Sequence, residues 1–329
     1  MAYQTGSATD LPDLLEKLSM FAAGLGWVVD GFTSGSSPTL YLHNADGYWS
    51  FGYGKSQRYT NQKYGLCICA NTGYSSAAAW HSQPGTSHNA KSYYSGSQTT
   101  DLSLGAYISY DFFGTSQYLH AVVQIAAGVF RHFGIGTLNK EGDYIGGQYA
   151  HGSVFNISAS SGRYGMTWAL IPFVDYPPHS ELEDVSSVVR ADMLGGRDIS
   201  PDYYPFGCSI RSAPTAIGVT GAPNYSSSYA NHPDNFAVRT SRSALGAVVA
   251  PVPNAIIAIC ADGLYRRLGT VPDMYPCRID GLTPRAQFEI NGETWMTMPA
   301  LMYQSDYQGG SNVTYGNSYD IGYAYRITP

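Results

Sequence analysis

Ala286-Gln287-Phe288-Glu289-Ile290-Asn291-Gly292-Glu293-Thr294-Trp295-Met296-Thr297-Met298 is the stretch whose reading decides the fold. Its middle, Asn291-Gly292, supplies the two positive φ angles that a two-residue hairpin turn needs. Polar and apolar residues alternate on either side, so both arms read as strands with one buried face. The register that follows sets Phe288 opposite Trp295 and Ile290 opposite Glu293.

Working outward, the same alternation recurs. Residues 322–327 read as a closing strand of Tyr and Ile among small residues. Residues 118–125 and 129–133 form a hairpin across Ala126-Ala127-Gly128, and residues 104–113 precede it as a further strand. Residues 39–43 and 48–53 flank Asn44-Ala45-Asp46-Gly47, where Asp-Gly is expected to supply a positive φ. Residues 64–70, 166–174 and 247–260 read as apolar strands, and residues 74–100 as a polar surface loop. One amphipathic helix is expected over residues 11–23. Thr9 or Asp10 caps it, Pro12 sits in its first turn and Gly24 stops it. A second helical piece is expected over 181–193, with Glu181, Glu183 and Asp184 at its start. The predicted class is therefore α+β, predominantly antiparallel β with one N-terminal amphipathic helix. Asp175-Tyr176-Pro177-Pro178-His179 divides it into a β-rich domain with a leading helix (1–175) and a second β-rich, loop-rich half (176–329). No fixed-period repeat or heptad run is present, which excludes solenoids and coiled-coil shafts.

Composition points to contact surfaces. Charged residues are 13% of the chain, about half the usual ~25%. Tyr contributes 28 residues and Gly 37. Disorder does not fit so aromatic a chain. No apolar run reaches the roughly 18 residues of a membrane span. What is left is a surface of Tyr, Ser, Gly, Asn and Thr, and Tyr buries much area at small entropic cost. With a net charge of −6 and Lys plus Arg totalling 18, in no dense run, nucleic acid is a poor partner. Met1-Ala2-Tyr3-Gln4 has no basic or apolar leader, so synthesis in a cytoplasm is expected. The cysteines, Cys67, Cys69, Cys208, Cys260 and Cys277, are odd in number and irregular in spacing, unlike a secreted disulfide framework. Cys67 and Cys69 share one face of a strand and are expected to be buried and reduced. Cys208, Cys260 and Cys277 are candidates for a late disulfide.

The residues able to carry chemistry give no catalytic pattern. His120, His132 and His151 lie on neighbouring strands without HExxH or H-x-H spacing, and read as strand histidines with hydrogen-bonded rings rather than as metal ligands. His81 and His88 lie in the polar loop. Gly134-Ile135-Gly136 starts like a nucleotide loop, but Asn139 stands where a third Gly belongs. No nucleophile elbow is present. No catalytic residue, cofactor or metal is assigned, and the chain is expected not to be an enzyme. Tyr93, Tyr94, Tyr203 and Tyr204 are candidate interface or sugar-stacking aromatics. Gly134 and Gly136 are expected to let the backbone bend or approach another chain, and Gly146 and Gly147 to re-aim it.

The run Tyr118-Leu119-His120-Ala121-Val122-Val123-Gln124-Ile125, then Val129-Phe130-Arg131-His132-Phe133-Gly134-Ile135-Gly136, then Leu138-Asn139-Lys140-Glu141-Gly142-Asp143-Tyr144-Ile145-Gly146-Gly147-Gln148-Tyr149 resembles a segment of tailed-bacteriophage virion structural proteins. So do the leading Asp13-Leu14-Leu15-Glu16-Lys17-Leu18 and the exit Gly26-Trp27. The resemblance covers residues 1–155. It implies a non-enzymatic component of the neck, collar, tail or baseplate, assembled in the host bacterial cytoplasm. Its partners would be copies of itself and other virion proteins. A receptor- or carbohydrate-binding tip is the alternative, and a polysaccharide-degrading virion enzyme a remote one.

Overall fold

Asp10 starts the one α-helix among the described residues. These are 1–55, 64–86, 98–100, 102, 104–152, 154–157, 167–170, 187–192, 203–205, 253, 255–259, 265–279, 282–299 and 321–328 of a computed structural model. The Asp10 carboxylate accepts from the Asp13 amide at 2.8 Å, satisfying a first-turn donor. Before the helix runs β1 (Ala2–Ala8), after it α1 (Leu11–Gly24) gives way to β2 (Val28–Thr33), β3 (Thr39–His43), β4 (Tyr48–Lys55) and β5 (Tyr64–Asn71). Leu11, Leu14, Leu15, Leu18 and Ala22 form the buried stripe of α1. The helix runs through Gly24 rather than stopping before it. The reversal falls at Gly26, whose φ of +87° only glycine takes without strain.

The hairpin between β3 and β4 forms as expected, but by another device. Gly47 does not take a left-handed φ. Instead the Asn44 side-chain oxygen accepts from the amides of Asp46 (2.9 Å) and Gly47 (3.1 Å), an Asx turn. The polar stretch after β5 is not all loop. It contains a 3-10 turn, Trp80–Ser82, and β6 (Gln98–Thr100), which completes a five-stranded sheet in the order β2-β3-β4-β5-β6.

Next come β7 (Tyr107–Gly114), β8 (Tyr118–Ala126), β9 (Val129–Thr137), β10 (Asn139–Lys140), β11 (Ile145–Gly152), β12 (Val154–Ile157), β13 (Thr167–Leu170), β14 (Ser187–Asp192) and β15 (Tyr203–Pro205). The sheet order β1-β7-β8-β9-β11-β14-β15 makes the largest sheet, seven strands, and β12 pairs with β13. The helix expected over 181–193 is corrected here: 187–192 is a strand on the edge of β11. Val188 and Val189 are β-branched, and an available ladder outweighs a local acidic start signal. The break expected at 175–179 lies outside the described residues. The last strands are β16 (Ala255–Ile259), β17 (Tyr265–Thr270), β18 (Met274–Arg278), β19 (Gln287–Ile290), β20 (Glu293–Pro299) and β21 (Ile321–Arg326). They form a three-stranded sheet, β10-β17-β16, and a four-stranded one, β18-β21-β20-β19. The β19–β20 hairpin has the register read from sequence, Phe288 opposite Trp295 and Ile290 opposite Glu293, with Asn291 and Gly292 at φ +53° and +83°.

All of these pairings are antiparallel, so the molecule is α+β and β-dominated, with its helix near the N-terminus. The seven-stranded sheet is the middle layer. Leu119, Ala121 and Val123 of β8 and Phe133 and Ile135 of β9 face one core, shared with α1 and with Leu40, Leu42, Trp49, Phe51, Leu66 and Ile68 of the five-stranded sheet. The alternate residues Tyr118, Val122 and Phe130 face a second core with Met274, Met296, Met298, Tyr323 and Tyr325 of the four-stranded sheet. That is strand alternation put to use on both faces. A polar clasp closes the rim of the second interface. Arg285 grips the buried Asp111 carboxylate at 2.8 and 3.1 Å, and the Tyr3 hydroxyl donates to the same group at 2.7 Å. Burial, then Asp111, pushes the Tyr3 hydroxyl up to about 12.

Candidate functional site

The glycines of β9 make room for rings. His120 of β8 and His151 of β11 both lie opposite Gly134 in register. Their rings meet over it, with His120 Nδ1 and His151 Nε2 3.1 Å apart. A Cβ on Gly134 would sit 2.5 Å from His151 Nε2 and 2.7 Å from His120 Nδ1. One step along, Tyr118 and Tyr149 flank Gly136 in the same way. A Cβ there would come within 2.6 Å of the Tyr118 Cβ, at a φ of +155°. Gly146 and Gly147, at φ +117° and +100°, sit where the β11–β14 register shifts, between Gly146 and Tyr149.

The proton positions on these rings follow from their partners. His120 Nε2 faces the Pro272 carbonyl at 3.0 Å, and a carbonyl only accepts, so this nitrogen carries the proton. Its Nδ1 is then bare and accepts from the His151 Nε2–H. His132 Nε2 likewise donates to the Pro299 carbonyl at 2.6 Å, and its Nδ1 accepts from the Tyr325 hydroxyl at 2.6 Å. All three rings are buried. Burial lowers His120 to about 3 and His132 to about 4, and holds His151 well below the ordinary histidine value. The trio is therefore neutral at physiological pH. Pro272, Pro299 and Tyr325 flank or belong to the four-stranded sheet, so the rings fasten that sheet to the middle one. They are closed off from any substrate.

Beside Tyr118 the interface opens into a polar cleft of about 480 Å³. It lies among the Thr115–Gln117 turn before β8, the Pro272-Asp273 turn before β18, and Glu293 and Arg326 of neighbouring strands β20 and β21. Arg326 spans two carboxylates: Nη2 donates to Asp273 Oδ2 at 2.8 Å and Nη1 to Glu293 Oε1 at 2.6 Å. The Tyr118 hydroxyl also donates to Asp273 Oδ2, at 2.6 Å. Burial, reinforced by Asp273, puts the Tyr118 hydroxyl far above its usual range. Burial works against the Arg326 cation, but Glu293 and Asp273 outweigh it and raise its pKa. Asp273 is a non-glycine residue at φ +53°, a conformation kept only where surroundings over-determine it. Here the Arg326 amide donates to its carbonyl at 3.2 Å. The Gln117 amide is pinned by Thr137 O (3.0 Å) and Asn139 Oδ1 (3.1 Å). Tyr275 forms another wall, its ring backed by Trp295 at 4.7 Å.

The aromatics singled out in the sequence are elsewhere. Tyr93 and Tyr94 lie outside the described residues. Tyr203 and Tyr204 belong to β15, the outer strand of the seven-stranded sheet, opposite Arg190 and Val189. His81 is exposed, next to Trp80. Cys67, Cys69 and Cys277 are buried, and burial pushes the Cys277 thiol up to about 12. Cys208 and Cys260 lie outside the described residues. Among the described residues no group of three or more His, Cys, Asp or Glu is placed to share a metal ion. The cleft residues escaped sequence reading because they arrive from turns and strand ends far apart in the chain. The only local signal was the Pro272-Asp273 turn. No known protein family and no curated protein matches the chain.

Proposed function

We propose that the chain is a non-enzymatic structural component of a tailed-phage particle, in the neck, collar, tail or baseplate, acting through packing against copies of itself and other virion proteins. The observation that carries this reading is the use made of the histidines. Histidines are the groups best suited to acid–base chemistry at neutral pH, and His120, His132 and His151 are sealed between layers as neutral hydrogen-bonding struts. The resemblance of residues 118–149 to virion structural proteins supplies the setting, and a surface poor in charge supplies the means of packing. Immunogold labelling of phage particles from the strain encoding the chain, with antibody against the purified protein, tests it. Rings of label at the neck, tail or baseplate are expected. Particles that carry no label while the chain stays in the lysate would overturn the proposal.

A further inference from the structure

We infer that the cleft beside Tyr118 is a binding site for a neutral saccharide unit, held through adjacent hydroxyl groups. The reasoning starts from charge. Asp273 and Glu293 bring two carboxylates, which exclude a phosphate or carboxylate ligand. Arg326 lies between them, 2.8 Å from one and 2.6 Å from the other, so a metal cation or ammonium group would meet a fixed positive charge. The ligand the cleft favours is uncharged.

The hydrogen-bonding groups then describe that ligand. Each carboxylate gives one oxygen to Arg326. Asp273 Oδ1 and Glu293 Oε2 make no hydrogen bond among the described residues, so each offers a charged acceptor. Bonds to charged acceptors are roughly twice as strong as neutral ones. Ser116 and Tyr275, also lining residues, carry hydroxyls, which both donate and accept. A ligand matching acceptors and amphoteric hydroxyls within one small space carries several hydroxyls on neighbouring atoms. The Tyr275 ring, backed by Trp295 at 4.7 Å, adds an apolar wall for the C–H face of a sugar ring. The volume of about 480 Å³ falls within the roughly 300–1,000 Å³ of small-molecule sites. The site is also preorganised. Tyr118 and Arg326 lock Asp273, and Thr137 and Asn139 lock Gln117, so little ordering cost remains for binding.

This inference goes beyond the packing role and does not depend on it. It is tested on the purified full chain, away from any particle, so its failure and that of the particle assignment are separate results. The chain is titrated with D-glucose, D-galactose, D-mannose and N-acetylglucosamine while the Trp295 indole N–H resonance is followed by NMR. A sugar lying on Tyr275 shifts that resonance, whereas loose association elsewhere does not. At least one sugar should shift it saturably, and Glu293→Gln and Ser116→Ala should each weaken that binding, Glu293→Gln by about tenfold. Ser116 is exposed and Glu293 partly exposed, and a cooperative melting transition establishes that each variant is folded. Absence of a saturable shift with all four sugars would overturn the inference. So would binding that both variants leave intact, or saturable binding of calcium or inorganic phosphate in place of any sugar.

Discussion

At Gly134 the cost of a single methyl group can be read from the packing. The backbone there has an ordinary φ, so alanine meets no conformational penalty, only the two imidazoles 2.5 and 2.7 Å from its Cβ and the Leu119 carbonyl at 2.8 Å. Overpacking of this kind typically costs about 1–3 kcal/mol. Gly134→Ala should therefore lower the unfolding free energy by that amount, read as a shift of the urea midpoint at unchanged m-value. Gly24→Ala is the internal control, since nothing lies within 4 Å of its Cβ and the residue is helical; it should be neutral or stabilising by up to about 1 kcal/mol. Removing the obstacle with His151→Ala should make the Gly134→Ala penalty smaller in the double variant than in the single one. Additive penalties would show that the ring contact is not what Gly134 serves. The glycine spacing was legible in the sequence. What the glycines accommodate was not, because His151 and Tyr149 come from β11, whose pairing with β9 is a long-range event.

Between the middle and four-stranded sheets the neutral histidines make stability depend on pH. Their folded pKa values lie below the unfolded value of about 6.5, at about 3 for His120 and about 4 for His132, with His151 depressed as well. The unfolded chain thus takes up protons that the folded chain refuses. Stability is complete above about pH 6.5 and falls as pH drops from there toward about 4. Each histidine contributes at most about 1.4 kcal/mol per pH unit. Urea midpoints taken between about pH 7 and pH 4.5 should decline steeply, and His132→Phe should flatten the decline even though it lowers stability overall. A flat profile would mean that the rings are reached by water or share their protons. Elements with their own turn chemistry were readable in advance: the β19–β20 hairpin to the exact pair, the β8–β9 hairpin, and α1 from its Asp10 cap. Elements that exist only by pairing were not. β1 reads Ala-Tyr-Gln-Thr-Gly-Ser-Ala with little apolar alternation and is a strand because β7 offers it a ladder. β14 is one because β11 does. The cleft was invisible for the same reason, being made where strand ends from several sheets meet.

For the whole molecule the sparse charge becomes sparser once the fold is formed. Only 18 Lys and Arg and 24 Asp and Glu serve 329 residues. Of these, Lys17 is spent on Asp13, Arg267 on Glu141, Arg285 on Asp111, and Arg326 on Asp273 and Glu293. Dispersed, unpaired charge is what normally keeps a soluble domain apart from its copies. Here that repulsion is small, and among the described residues β2, the outer strand of the five-stranded sheet, pairs with β3 alone and carries a single charge, Asp30, in six residues. Val28 on that strand is 47% exposed. Such an edge accepts further strands unless something guards it. Self-association should therefore stabilise the chain by mass action, since the folded form binds copies that the unfolded form cannot. The melting temperature should climb steadily with protein concentration, in step with a rising mass by light scattering. Val28→Lys, which puts a charge on the β2 edge, should weaken both trends while leaving the dilute melting temperature nearly unchanged. A chain that remains monomeric at high concentration, with one melting temperature throughout, would remove self-packing as the source of its stability.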